Sequence, residues 1–410
     1  AAELTATEGG FLFRQGRETI RFERGNWTAA IEGGPTVRWH MFLWHDEWIY
    51  ETLPRGTITA DPKLAADGSL AMSGTFSARN DSPPVRYAYR ITSEKGGLRV
   101  RCELRKSAPL RLTNGVWLHL SANRKQLQGT ERVWISPAWH GTVTSPARGV
   151  GDRFLLELRG GRSLALGGPG YRHVEREPGS GCTYRVNLLP EDFEADKPAV
   201  VEYTIGFADM PDRFPGDVHP MRRPLKLESV TPDATRVPRY ERLQLDVDLE
   251  ASYENPFDPD EVRLDAVFTA PSGKKLVVPA FFMVGFRRQV SEGAEIMIPE
   301  DNGGWRVRFA PAEVGRYQWQ LRLRDRSGQV TGGEGRFEAV AATGRGFVRT
   351  SRADPHYLAF DDGSGYFALG HNLPIYHTRG QLGSEAMRRF AAAGENFNRW
   401  WMSSSGFGIE

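Results

Sequence analysis

Leu98-Arg99-Val100-Arg101-Cys102-Glu103-Leu104 decides the fold class. Apolar and charged residues alternate with a period of two. Leu98, Val100, Cys102 and Leu104 therefore share one face, and Arg99, Arg101 and Glu103 the other. A helix would scatter the same residues around its circumference, so the segment reads as a half-buried strand. Upstream, Val85-Arg86-Tyr87-Ala88-Tyr89-Arg90-Ile91 repeats the pattern, and Glu94-Lys95-Gly96-Gly97 between them is a turn. Thr19-Ile20-Arg21-Phe22-Glu23, Val116-Trp117-Leu118-His119-Leu120, Phe154-Leu155-Leu156-Glu157-Leu158 and Val201-Glu202-Tyr203-Thr204-Ile205 extend it in both directions. No amphipathic stretch of helical length interrupts them. Residues 1–228 are thus expected to form a large antiparallel β-sandwich.

A weak linker, Ser229 to Pro238, carries Thr231-Pro232-Asp233. Alternation resumes in Leu243-Gln244-Leu245-Asp246-Val247-Asp248-Leu249, Val262 to Phe268, Trp305 to Phe309 and Tyr317 to Leu323. Short strands in a span of this size, residues 239–340, predict an immunoglobulin-like β-sandwich. The pattern then changes over residues 346–410. Leu358-Ala359-Phe360, Asp361-Asp362-Gly363 and Tyr366-Phe367-Ala368-Leu369 read as a hairpin. A helix is predicted next, with Ser384 as N-cap, an apolar stripe of Met387, Phe390 and Ala391, and Gly394 just past its end. Asn396 to Met402 follows as a strand. Strand, helix and strand in succession indicate a β/α crossover, the beginning of a (β/α)8 barrel. The fold expected is mainly β, closing on the first two β/α units of that barrel.

The composition narrows the function. Hydrophobic residues make up 40% and charged residues 25% of the 410, a globular mix. A formal net charge of +2 gives no electrostatic case for nucleic acid. No run approaches the roughly 20 apolar residues of a membrane-spanning helix, so no integral membrane segment is expected. The 2 cysteines, Cys102 and Cys182, leave a single disulfide or two buried thiols open, and no Cys/His spacing suggests zinc. No metal or other cofactor is expected. The opening Ala1-Ala2-Glu3 fits a mature chain after removal of a signal peptide, hence a periplasmic or secreted protein, or merely a trimmed chain.

Several motifs carry a resemblance. Tyr253-Glu254-Asn255-Pro256-Phe257, Phe268-Thr269-Ala270-Pro271-Ser272-Gly273-Lys274, Val278-Pro279-Ala280-Phe281-Phe282 and Gly304-Trp305-Arg306-Val307-Arg308-Phe309-Ala310-Pro311 occur in order. Together with Gly315-Arg316-Tyr317 they resemble the accessory domain of unknown function 5060, found ahead of bacterial glycoside hydrolase barrels. Phe367-Ala368-Leu369-Gly370-His371-Asn372 is similar to a first barrel strand. Ala393-Gly394-Glu395-Asn396-Phe397-Asn398-Arg399-Trp400-Trp401 is similar to the passage from helix one into strand two. The resemblance implies a glycoside hydrolase, of retaining type, acting on a poly- or oligosaccharide. In such hydrolases the acid/base and nucleophile come from the ends of later strands, so no catalytic residue is assigned here. The first 230 or so residues loosely suggest a mutarotase-like supersandwich.

Barrel sites lie at the C-terminal ends of strands. That makes His371, Asn372, Arg399 and Trp401 candidate substrate-binding residues. Arg399 would hold a carboxylate, and Trp401 would stack on a sugar or fill a barrel layer. Trp39, Trp44 and Trp48 interleave with His40, His45 and Asp46, and are candidates for a secondary sugar-binding surface; a domain contact is the plainer reading. This cluster motivates the alternative function, a carbohydrate-binding or assembly protein that works through its N-terminal sandwich. Asp258, Asp260 and Glu261 lack calcium-loop spacing and read as turn acids.

Overall fold

The computed structural model describes all residues except 1, 9, 24–25, 46–48, 53–56, 77–82, 113–114, 146–147, 177–182, 190–191, 196, 292–293, 301–302, 374–380 and 401–410. Among the described residues strands predominate, with one α-helix. Strands from Glu3–Thr7 to Ala199–Asp209 belong to one 17-stranded antiparallel network. The strand Gly97–Lys106 pairs with Val85–Glu94 on one side and Ala199–Asp209 on the other. Its inward residues Leu98, Val100, Cys102 and Leu104 are no more than 1% exposed, as their alternation requires. Gly96, at φ 86°, makes the turn between the first pair. The interior continues through Phe11, Phe22, Trp27 and Trp39. The Trp27 ring sits 5.3 Å from both Phe11 and Trp39. Each such aromatic ring removes a large apolar area from water, which is what holds so extended a sheet together.

The second unit starts earlier than the linker reading placed it. Met221–Pro232 is a strand paired with Leu243–Tyr253, so Thr231 and Pro232 lie in a sheet and not in a connection. A four-stranded sheet packs on a five-stranded one. Leu245 and Val307 from the first meet Leu264, Leu321 and Phe337 from the second in one core. Phe309 stacks on Phe268 across the layers, with ring centroids 4.0 Å apart. Gly335 lies directly over the Trp319 indole, where a Cβ would stand 2.0 Å from a ring carbon. Glycine is the residue that this approach allows.

The turn acids behave as turns. Glu261 accepts from the backbone of Glu254 and Asn255, and Asp258 accepts from Asp260 N–H. Next, Leu358–Phe360 pairs with Gly365–Tyr366 as the expected hairpin, with Val348–Thr350 as a third strand. Asp361 fastens it by accepting from Phe347 N–H at 2.8 Å and Arg349 Nε at 3.0 Å.

The crossover follows. Gly370–Leu373 and Phe397–Trp400 pair in parallel, joined through the helix Gln381–Ala392. The helix begins before Ser384, which therefore lies within it and does not cap it. Its end is the predicted one. Gly394 has φ 90°, its N–H donates to Ala391 O, and Glu395 N–H reaches back to Phe390 O. That pair of bonds is the Schellman arrangement. Parallel strands need such a crossover. In this tail the described residues supply two parallel strands, not a closed barrel. Among them no helix is long and apolar enough to cross a membrane.

Candidate functional site

The crossover divides the sequence candidates between its two faces. Asn372 and Arg399 are register partners and share a face with Phe397; both side chains are exposed. His371 and Asn398 point the other way. The His371 ring stacks on Phe390 of the helix at 4.6 Å, and its Nδ1 lies 2.8 Å from a Glu395 carboxylate oxygen. His371 thus joins strand to helix and lies on the opposite face of the pair from Arg399. Trp401 lies outside the described residues.

The N-terminal tryptophans also part. Trp39 is 1% exposed and packs on Trp27, so it is a core residue, not a sugar platform. The parity of the strand Thr36–His45 explains this: Trp39, Met41 and Leu43 point inward, while Arg38, His40, Phe42 and Trp44 face the opposite side. Trp44 is half-buried there, 5.3 Å from the Phe42 ring. Trp48 lies outside the described residues. Cys102 is a buried free thiol, and Cys182 falls outside the described residues.

Sheet register builds a site on this second face. Thr36–His45 pairs with Val116–Ala122, that strand with Thr183–Leu189, and that in turn with Arg162–Arg176. His40, His119, Arg185 and Glu175 form one row across the four strands. Phe42, Trp117 and Asn187 form the next. The His119 ring stands edge-on to His40 at 5.2 Å and to Phe42 at 5.5 Å. Trp117 meets His173 edge-on at 5.9 Å. Glu175 is held from two sides, with Arg185 at 2.9 Å and His173 Nε2 at 3.3 Å. The His173, Glu175 and Arg185 side chains retain 23%, 20% and 20% exposure, recessed but reachable. Of these residues, the sequence singles out His40, through the tryptophans it interleaves with. Val116-Trp117-Leu118-His119-Leu120 held a signal, since its outward residues are aromatic and not charged.

A second polar cluster surrounds His140. Its Nε2 lies 3.1 Å from Asp217, and its ring stacks on Phe214 at 4.6 Å. Burial pulls the imidazole below its ordinary range, against the opposing pull of Asp217.

No curated protein matches the chain. Among solved structures, a candidate glycoside hydrolase from Bacteroides vulgatus ATCC 8482 is similar at 23% identity, covering 41% of this chain and 28% of that one, with a TM-score of 0.31. This chain therefore spans under a third of the length of that structure. A galactose mutarotase-like protein from Clostridium acetobutylicum aligns at 8% identity over 51% of this chain and 99% of its own, with a TM-score of 0.35. A polysaccharide lyase aligns at 8% identity over 96% of this chain and 57% of its own, with a TM-score of 0.26. Residues 236–324, the heart of the second sandwich, match the family described as a domain of unknown function, DUF5060.

Proposed function

We propose that this chain is the front portion of a glycoside hydrolase acting on a poly- or oligosaccharide, exported to the periplasm or beyond. One observation carries the reading: beyond the sandwich that matches this domain family, and after one short three-stranded sheet, the chain forms a parallel strand–helix–strand. Domains of that kind resemble those that precede hydrolase barrels. The crossover also leaves apolar side chains in water, with Phe367 83%, Leu369 51% and Phe397 46% exposed. A two-stranded parallel sheet cannot cover such residues, whereas further β/α units beside it would. In this reading Asn372 and Arg399 face the barrel interior near its mouth, and the catalytic carboxylates stand on later strands. A retaining reaction sets those carboxyls about 5–5.5 Å apart.

The experiment compares this chain with a protein extended through its downstream reading frame. The extended protein should release reducing ends from a glycan with retention at the anomeric carbon, read by proton NMR, and the 410-residue chain should not. Hydrolysis by the shorter chain would refute the placement of the catalytic pair. A downstream sequence without further β/α units would refute the barrel.

A further inference from the structure

We infer that the sheet face bearing His40, His119, Arg185 and Glu175 is a saccharide-binding site, separate from the proposed barrel. Two rows of different chemistry lie side by side on it. One offers imidazole, guanidinium and carboxylate groups in line across four strands. With neighbouring strands about 4.8 Å apart, that row runs about 14 Å, enough for more than one sugar ring. The other offers aromatic surface from Trp117, whose register partner is the buried Phe42, with the half-buried Trp44 5.3 Å from the Phe42 ring. A pyranose has the matching duality: its C–H faces stack on aromatic rings, and its equatorial hydroxyls need hydrogen-bond partners around the rim.

The alternatives fit less well. A purely apolar ligand would strip water from the polar row without replacing its hydrogen bonds, at a cost for each desolvated group. A nucleic acid would need a basic stripe, whereas Arg185 is already neutralised by Glu175 at 2.9 Å. Glu175 is in turn fixed by His173, so the acceptor is oriented before any ligand arrives. The strands themselves are anchored from behind. Leu118, Leu120, Val186 and Val174 on the reverse face are no more than 2% exposed. The polar row thus stands on a packed sheet and not on a loop.

The inference is independent of the hydrolase proposal, because it needs only the chain in hand. The 410-residue protein would be titrated by calorimetry against neutral hexose and pentose oligosaccharides and, in a separate arm, uronic-acid oligosaccharides. Saturable binding is expected in at least one arm, with quenching of tryptophan fluorescence. Trp117→Ala and His119→Ala should each weaken it roughly tenfold. His119→Gln, a milder change that keeps a polar side chain, should weaken it too and guards against misfolding. Arg399→Ala, in the crossover, should leave it unchanged. No saturable binding in either arm would overturn the site. So would binding that survives Trp117→Ala and His119→Gln, or binding lost with Arg399→Ala.

Discussion

Cys102 is wholly buried between Leu98, Val100 and Leu104, and burial drives its thiol far above the usual range. Thiolate is the reactive form. A maleimide at pH 8 should therefore leave Cys102 unlabelled in the folded protein and modify it fully in denaturant, as peptide mass spectrometry would show. Labelling of the native chain at Cys102 would mean that this sheet opens. Gly335 gives a second test at the same scale. Gly335→Ala drives a methyl into the Trp319 indole and should destabilise the second sandwich by about 1–3 kcal/mol, read as a lower urea midpoint. The alternation at Cys102 was plain in the sequence. The need for glycine at 335 was not, because Trp319 reaches it from the neighbouring strand.

At the scale of elements, two caps can be tested. The hairpin from Gly315–Asp325 into Gly328–Val340 is tied by Asp325, which is 8% exposed. Its carboxylate accepts from Ser327 N–H at 2.7 Å, Ser327 Oγ at 2.6 Å and Ser252 N–H at 2.8 Å. Burial pushes the carboxyl upward, but these donors outweigh it and hold it below the usual carboxylate range. A lowered folded value stabilises above the unfolded value, near pH 4, and that contribution fades as pH falls through the folded value. Asp325→Ala should cost about 1–3 kcal/mol at neutral pH and flatten the acid limb of a stability–pH curve. Gly394 closes the helix Gln381–Ala392 at φ 90°, with nothing within 4 Å of an added Cβ. Gly394→Ala should therefore cost only its backbone strain, about 1 kcal/mol, seen as faster amide exchange in the last helical turn. The C-terminal glycine of this helix was legible because a helix stop is a local device. The start was not, since Ser384 looks like a cap by composition alone.

Across the whole molecule, His140 lies near the meeting of the first two units. Its partner Asp217 neighbours Gly216, where a Cβ would stand 2.5 Å from Pro299 of the second unit. A depressed histidine favours the neutral form in the folded state. Its stabilising effect is complete above the unfolded value, about pH 6.5, and declines as pH falls toward the lower folded value. Thermal stability should drop over that window, and His140→Asn should lose this dependence. A slope unchanged in the variant would assign the titration elsewhere.

Sequence alone determined the β character, the immunoglobulin-like unit and the strand–helix–strand tail. Each rests on a periodicity or stop signal contained within a few neighbouring residues. Tertiary structure alone decided the rest. It sent Trp39 inward and His40 outward, moved Met221–Pro232 into the second unit, and turned His371 toward the helix and away from Arg399. It also brought His40, His119, Arg185 and Glu175 into one row. The physical reason is register. Alternation fixes which residues of a strand share a face, but neighbours across strands are chosen by pairing between distant segments, and no local pattern encodes that choice.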